Sequence, residues 1–72
     1  MKISYDPEAD AMYIELIQDI EQVRTVRLSD SVALDFGKGE VLAGIEILDA
    51  KKIIGKGQIP PIILQNLNYQ MA

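Results

Sequence analysis

The sequence predicts an α+β fold: a single antiparallel β-meander of about five strands, with a short helix packed on one face and a C-terminal helical segment. Three observations support this prediction. Apolar residues alternate with period two in several runs up to Leu48, as they do in strands. Clusters of Asp, Ser, Gly and Pro separate these runs at short intervals, which is typical of turns. After Asp49 the apolar spacing changes to i, i+3, i+4, the helical pattern.

The length and composition indicate one small domain that needs help to be stable. A chain of 72 residues hides only about 60% of its unfolded surface, and domains of this size commonly rely on disulfides, metals or partners. Because the chain contains no cysteine and no histidine, disulfides and the commonest metal ligands are excluded. We therefore expect a β-meander plus helix domain over residues 1–54. Residues 55–72 would form a linker and a C-terminal segment at an oligomer interface.

The strands are predicted over residues 2–5, 11–17, 23–28, 32–36 and 40–48, each paired with its neighbour in the chain. In this register Tyr5 lies opposite Met12, Ile14 opposite Val26, Leu28 opposite Val32, Leu34 opposite Ala43, and Asp35 opposite Leu42. All the large apolar residues of one parity then share one side of the sheet, which we call the first face. Its predicted members are Ile3, Tyr5, Met12, Ile14, Leu16, Val26, Leu28, Val32, Leu34, Phe36, Val41, Ala43, Ile45 and Ile47.

One charged residue, Arg24, falls on this apolar face, opposite Phe36 and Leu16. We expect Arg24 at the end of the sheet, where its guanidinium reaches water. The opposite side of the sheet, the second face, is predicted to carry Tyr13, Ile17, Val23, Thr25, Ala33, Leu42, Gly44 and Leu48.

The turns and helices follow from local chemistry. Asp6 can accept hydrogen bonds from the N–H groups that follow it, and Pro7 fits the first position of a turn. Asp49 is predicted to be the N-cap of the short helix, whose apolar stripe is Ala50, Ile53 and Ile54, with Gly55 just past its end. Pro60 and Pro61 are predicted to open the C-terminal helix; the alternative is a loose tail that becomes ordered only against a partner. The apolar side of that helix would hold Ile63, Leu64, Leu67 and Met71.

The densest group of carboxylates is Asp6, Glu8 and Asp10, an alternation that calcium loops also show. The likeness ends there, because Ala11 stands where such a loop needs glycine and Ile17 where it needs an acidic residue. We therefore predict that Asp6 shapes a turn and that the chain holds no metal.

Catalytic chemistry finds little support in the sequence. Glu46 and Asp35 share the second face, as paired carboxylates would, but no cleft is predicted around them. A serine nucleophile would need a base other than histidine. Residues 37–39 form a hairpin turn rather than a phosphate-binding loop. We predict no catalytic residue and no cofactor.

The formal net charge of −4 makes nucleic acid an unfavourable partner, because phosphates require a basic surface. No apolar run approaches the roughly 20 residues of a membrane span, and the start of the chain lacks a signal-peptide pattern. The expected location is the cytoplasm, without membrane contact.

The second face is too apolar to be left in water, so we predict a homo-oligomer, most simply a dimer, that buries it. Gly44 within a strand suggests that something packs closely over it. The candidate interface residues are Tyr13, Ile17, Val23, Leu42, Gly44, Leu48, Ile63 and Leu67.

Two segments resemble a known family. Residues 5–14 match the opening Y-D-x-x-x-D-x-x-Y-I, and residues 44–50 match the closing G-I-E-I-L-D-A. They are similar to the small prokaryotic family named domain of unknown function 2283, with the likeness covering about residues 1–54. The resemblance implies no activity, cofactor or catalytic residue. It does imply that some members are encoded beside small toxins.

The leading hypothesis from the sequence is a non-enzymatic protein-binding or assembly module. An antitoxin-like partner of a small toxin is one alternative, implied by the resemblance. A small metal-dependent hydrolase using Asp6, Glu8, Asp10 or Glu46 is another.

Overall fold

In the part of the chain that the structure describes, five antiparallel strands form one sheet, and one short helix lies against one of its faces. The computed structural model describes residues 1–65. The elements are β1 (Lys2–Asp6), β2 (Ala11–Glu15), β3 (Gln22–Arg27), β4 (Val32–Gly37), β5 (Val41–Ile47) and α1 (Ala50–Ile54). Among these residues, no helix has the length and apolar character needed to cross a membrane.

The predicted five-stranded antiparallel β-meander sheet with a short helix is confirmed, but the order of its strands needs one correction. The order is β1-β2-β5-β4-β3, so β5 lies between β2 and β4, and the predicted contact of Ile14 with Val26 is wrong. Ile14 instead lies opposite Ile45. The exchange has a physical reason: β5 is the most apolar strand and gains most from a central position, whereas the charged β3 is suited to an edge.

The predicted registers of the β1–β2 and β3–β4 hairpins are confirmed, with Tyr5 opposite Met12 and Val26 opposite Leu34. The β4–β5 register is not the predicted one. The turn between these strands holds three residues instead of two, with Gly39 and Glu40 at φ angles of 83° and 63°. This turn places Gly37 opposite Val41.

A bulge then shifts the β4–β5 register once more, between Asp35 and Phe36, so that Phe36 lies opposite Leu42 and Asp35 opposite Gly44. The two shifts add up to two residues, and the residues after the bulge therefore keep their predicted faces. Before the bulge, Leu42 joins Phe36 on the first face. Val41, opposite Gly37, lies on the second face. The predictions of Leu42 on the second face and of Val41 on the first are therefore wrong, as are the predicted pairs of Asp35 with Leu42 and of Leu34 with Ala43.

The first face is apolar along its whole width. Two complete rows cross the sheet from β1 to β3, and they consist of Tyr5, Met12, Ile47, Val32 and Leu28, and of Ile3, Ile14, Ile45, Leu34 and Val26.

The one charged residue that shares these rows' face is Arg24, opposite Phe36 at the far end of β3. The Arg24 guanidinium lies 4.6 Å from the centroid of the Phe36 ring and pairs with Glu40 at 2.7 Å. Its side chain is 48% exposed, as predicted. The predicted approach of Arg24 to Leu16 is wrong, because β5 and β4 separate β2 from β3.

Helix α1 covers one end of the first face through Ala50, which packs with Met12 and Ile47. Asp49 precedes the helix as predicted, but its φ of 50° is left-handed and its side chain makes no hydrogen bond to the helix. Asp10 caps the helix instead. Its backbone carbonyl accepts from the Ala50 N–H at 3.0 Å, and its carboxylate accepts from the Lys51 N–H at 3.2 Å.

The predicted apolar stripe of α1 is only partly buried, since Ile53 and Ile54 are exposed. After the helix, Ile59 packs against the same core cluster. The predicted helix does not start at Pro60, and residues 59–65 have no regular secondary structure. A physical reason is that Pro61 disfavours helical backbone angles at the residue before it. The predicted helical residues Leu67 and Met71 lie outside the described residues.

Candidate functional site

A buried carboxylate organises the centre of the second face. Asp35, on β4, is 5% exposed and accepts hydrogen bonds from two side chains of the neighbouring β3 and from one of β2, which lies on the other side of β5. The Tyr13 hydroxyl donates to Oδ2 at 2.9 Å, while the Thr25 hydroxyl at 2.7 Å and Gln22 Nε2 at 3.1 Å donate to Oδ1. Because a buried carboxylate is tolerated only when it is hydrogen-bonded, these donors hold β2, β3 and β4 in one arrangement.

The Tyr13 side chain reaches Asp35 by crossing directly over Gly44. A Cβ atom at position 44 would lie 2.0 Å from the Tyr13 hydroxyl oxygen, far closer than van der Waals contact. The predicted close approach over Gly44 is therefore confirmed, and the group that approaches is the chain's own tyrosine.

The environment of Tyr13 changes its acidity. Burial, the hydrogen bond to Asp35 and the negative charges of Asp35, Glu15 and Glu46 together raise the pKa of Tyr13 from 10.0 to about 12. The phenol is thus held in its neutral, hydrogen-donating form, as the Asp35 carboxylate requires.

Because of this raised pKa, the free energy of unfolding should decrease at alkaline pH. The folded state retains the Tyr13 proton between pH 10 and 12 while the unfolded state loses it, so the stabilisation is complete below pH 10 and is lost as the pH rises through 12. Ultraviolet titration of tyrosinate should show one step near pH 12 that Tyr13→Phe removes. A wild-type titration complete by pH 11 would contradict this assignment.

Beside Tyr13 the second face has an open depression of about 490 Å³. Its polar groups include Glu46, whose carboxylate also lies 3.5 Å from Arg27. The lining residues are Ser4, Tyr5, Asp6, Ala11, Met12, Tyr13, Glu46 and Leu48.

The carboxylates near the first turn have structural partners. Asp6 Oδ1 accepts from the N–H groups of Glu8 and Ala9, at 3.0 and 3.4 Å, which confirms its predicted role in the turn. Asp10 Oδ1 accepts from the Tyr5 hydroxyl at 2.8 Å as well as from α1. Over residues 1–65, no three carboxylates are grouped so that they could hold a metal ion.

The other predicted carboxylate pair does share the second face. Glu46 is on β5 opposite Ala33, and Asp35 is on β4 opposite Gly44, so that the two carboxylates lie one pair of rows apart on the same face. Their surroundings differ: Glu46 is partly exposed and faces Arg27, whereas Asp35 is buried and its two oxygens accept three hydrogen bonds. This arrangement fixes the strands and keeps Asp35 away from solvent.

The predicted interface residues are divided among different regions. Tyr13, Gly44 and Leu48 come together on the second face, but Tyr13 covers Gly44 within the chain. Ile17 and Val23 are exposed, outside the cluster of the other three. The remaining residues are Leu42 on the first face, Ile63 in the exposed C-terminal segment, and Leu67, which lies outside the described residues.

Sequence reasoning missed an unburied apolar surface, which is part of the first face. Helix α1 lies over the β1–β2–β5 side, and the side formed by β4, β3 and the start of β5 has no covering layer among the described residues. We call this surface the open half. It consists of Val26, Leu28, Leu34, Phe36 and Leu42, which are exposed or only half-buried. The signal was present in the helix, whose five residues are too few to cover a five-stranded sheet.

The total surface agrees with an uncovered layer. The chain exposes 5716 Å², whereas a compact monomer of 8.0 kDa exposes about 4,450 Å². No large side chain in the described part is completely buried. The excess of roughly 1,300 Å² includes both the open half and the exposed residues after Ile59.

A family model described as "Protein of unknown function (DUF2283)" matches residues 2–51. No curated protein and no solved structure gives a significant match.

Proposed function

The chain belongs to this family of unknown function (DUF2283), and from that premise we propose that it is a non-enzymatic assembly module that works as a homodimer. The open half of the first face would be the contact, and its occupant a second copy of the chain. The observation that carries this proposal is an apolar sheet face of which α1 covers only one side.

The shape of the open half suits pairing with itself. Two sheet faces pack about 10 Å apart, and a helix on a sheet needs a similar separation. When two open halves stack about a two-fold axis, each copy's α1 can therefore lie beside the partner's sheet instead of colliding with it. Isologous contacts of this kind are the commonest in soluble oligomers.

The second face, which the sequence favoured for this contact, offers a weaker apolar surface. Its centre holds the Asp35 network, and Glu46, Arg27 and Glu15 stand around it. Burying these charges against a second copy would require new partners for each of them. We therefore place the proposed interface on the first face.

Substitutions at two adjacent residues can test which face of the sheet forms the interface. Leu42 and Val41 are equally accessible, at 36% and 37%, but the register places Leu42 on the first face and Val41 on the second. The wild type is expected to be a dimer at low micromolar concentration in sedimentation equilibrium, with a melting temperature that rises with protein concentration. Leu42→Glu should sediment as a monomer, because a carboxylate buried there would be unpaired, and Val41→Glu should remain a dimer.

A stably folded wild-type monomer would overturn the assembly proposal. Dissociation by Val41→Glu but not by Leu42→Glu would keep the dimer and move its interface to the second face.

A further inference from the structure

The C-terminal segment leaves the core without burying its own apolar residues. Lys56 and Gly57, with φ angles of 49° and 97°, turn the chain after α1, and Ile59 packs against the core on the first face. Beyond Pro60 and Pro61 the chain has no regular secondary structure. Residues 62–64, which we call the strap, are Ile62, Ile63 and Leu64 and are 61%, 76% and 68% exposed.

The open half alone is a small interface. It spans about three strands at 4.8 Å spacing and about three rows at 6.8 Å, which gives roughly 300 Å². A stable interface buries about 800 Å² on each partner. Stacking two open halves therefore leaves a shortfall, and additional apolar area must come from elsewhere in the chain.

We propose that the strap of each copy packs onto the second copy, in the groove between its open half and its α1. This inference rests on the homodimer proposed above and identifies the segment that completes its interface. Three more apolar side chains from each copy then contribute to the contact area, and an element exchanged between protomers is a common way to build a dimer.

Two observations favour contact with the partner over contact within the chain. In the chain's own fold the strap and the open half are both exposed, although the strap starts from Ile59 on the same face. The stiff Pro60–Pro61 pair also favours an extended path away from the core.

The composition of the strap fits a groove with two apolar walls. In an extended chain successive side chains point in opposite directions. Ile62 and Leu64 would face one wall, the sheet, while Ile63 would face the other, formed by α1. The helix presents Ile53 and Ile54 on its surface, 45% and 40% exposed. A strap with a polar residue at its centre would fit such a groove poorly.

The contact can be tested by disulfide formation, because the natural chain has no cysteine. Full-length Leu64→Cys protein, with the cysteine on the side of the strap that faces the sheet, is mixed with full-length Val26→Cys protein and oxidised mildly, and the mixed disulfide is quantified by mass spectrometry. The matched control is Arg27→Cys, next in sequence but on the second face, where Arg27 pairs with Glu46. At least tenfold more mixed disulfide is expected with Val26→Cys than with Arg27→Cys.

Equal or greater crosslinking with Arg27→Cys would overturn the strap contact. So would an intrachain disulfide as the main product of the Leu64→Cys/Val26→Cys double variant at concentrations where the dimer persists. If Val26→Cys does not fold, Leu28→Cys, at a position 60% exposed, replaces it with the same expected result. A wild-type monomer in sedimentation would defeat the homodimer itself, whereas a dimer without crosslinks defeats only the strap.

Discussion

Replacing Gly44 with valine is expected to destabilise the fold by about 2–4 kcal/mol, although valine is the better strand former. The added Cβ would lie 2.0 Å from the Tyr13 hydroxyl oxygen, so Tyr13 must move. Moving it breaks the hydrogen bond to Asp35, and the loss of a donor to a buried carboxylate costs about 1–3 kcal/mol or more. The rearrangement of a packed aromatic ring adds to this cost. Urea unfolding of Gly44→Val and wild type measures the difference.

The control for this prediction is a second substitution at Tyr13. In a Tyr13→Ala background the obstacle is absent, so Gly44→Val should cost little or even stabilise the sheet. The difference between the two backgrounds is the coupling energy of the pair. The contact lies within one chain, so this coupling should not change with protein concentration. A valine variant that melts above the wild type with Tyr13 present would refute the assignment.

The parts of the fold that could be predicted from the sequence are those that depend on nearby residues. The β1–β2 and β3–β4 registers follow from short turns and from alternating apolar residues, and both are confirmed by pairs such as Tyr5 with Met12. The position of β5 could not be predicted in this way. Its contact with β2 joins residues far apart in sequence, such as Ile14 and Ile45. The alternation of apolar residues in β2 fits pairing with β3 as well as pairing with β5, so it could not decide between them.

The β4–β5 error shows how backbone details escape a pattern argument. Glu40 adopts a left-handed conformation, which the sequence does not predict for a glutamate. The turn is one residue longer than predicted as a result. The bulge beside Phe36 adds a second shift. Because two shifts restore the parity, the faces of Ile45 and Ile47 were predictable even though their partners were not. Leu42, which lies between the shifts, was placed on the wrong side.

The candidate site was predictable only in part, for a related reason. Gly44 could be singled out because glycine is unfavourable inside a strand. Asp35 could not, because an acidic residue at an alternating position looks the same whether it is solvated or buried beneath Tyr13 and Thr25. The motifs that carry the family resemblance hold several of these contacts. Tyr13 and Gly44 belong to the two motifs and meet on the second face.

The first motif also joins the β1–β2 turn to α1, through Asp10. Replacing Asp10 with alanine is expected to cost about 2–4 kcal/mol. It removes the hydrogen bonds to the Tyr5 hydroxyl and to the Lys51 N–H, and loss of a helix cap alone costs about 0.5–2 kcal/mol. It also places alanine at a φ of 52°, which adds about 1 kcal/mol of strain. Asp10→Asn, which retains an acceptor and tolerates this φ, should cost much less.

Asp49 is the matched control for this prediction, because it has nearly the same φ, 50°, but its side chain makes no hydrogen bond to the helix. Asp49→Ala should therefore show the strain alone, and its difference from Asp10→Ala in urea unfolding isolates the side-chain bonds. Faster hydrogen exchange at the Lys51 amide in Asp10→Ala, but not in Asp49→Ala, would locate the loss at the start of α1. If Asp49→Ala proves as costly as Asp10→Ala, the helix is capped by the residue that precedes it, and the link between the first turn and α1 contributes little to stability.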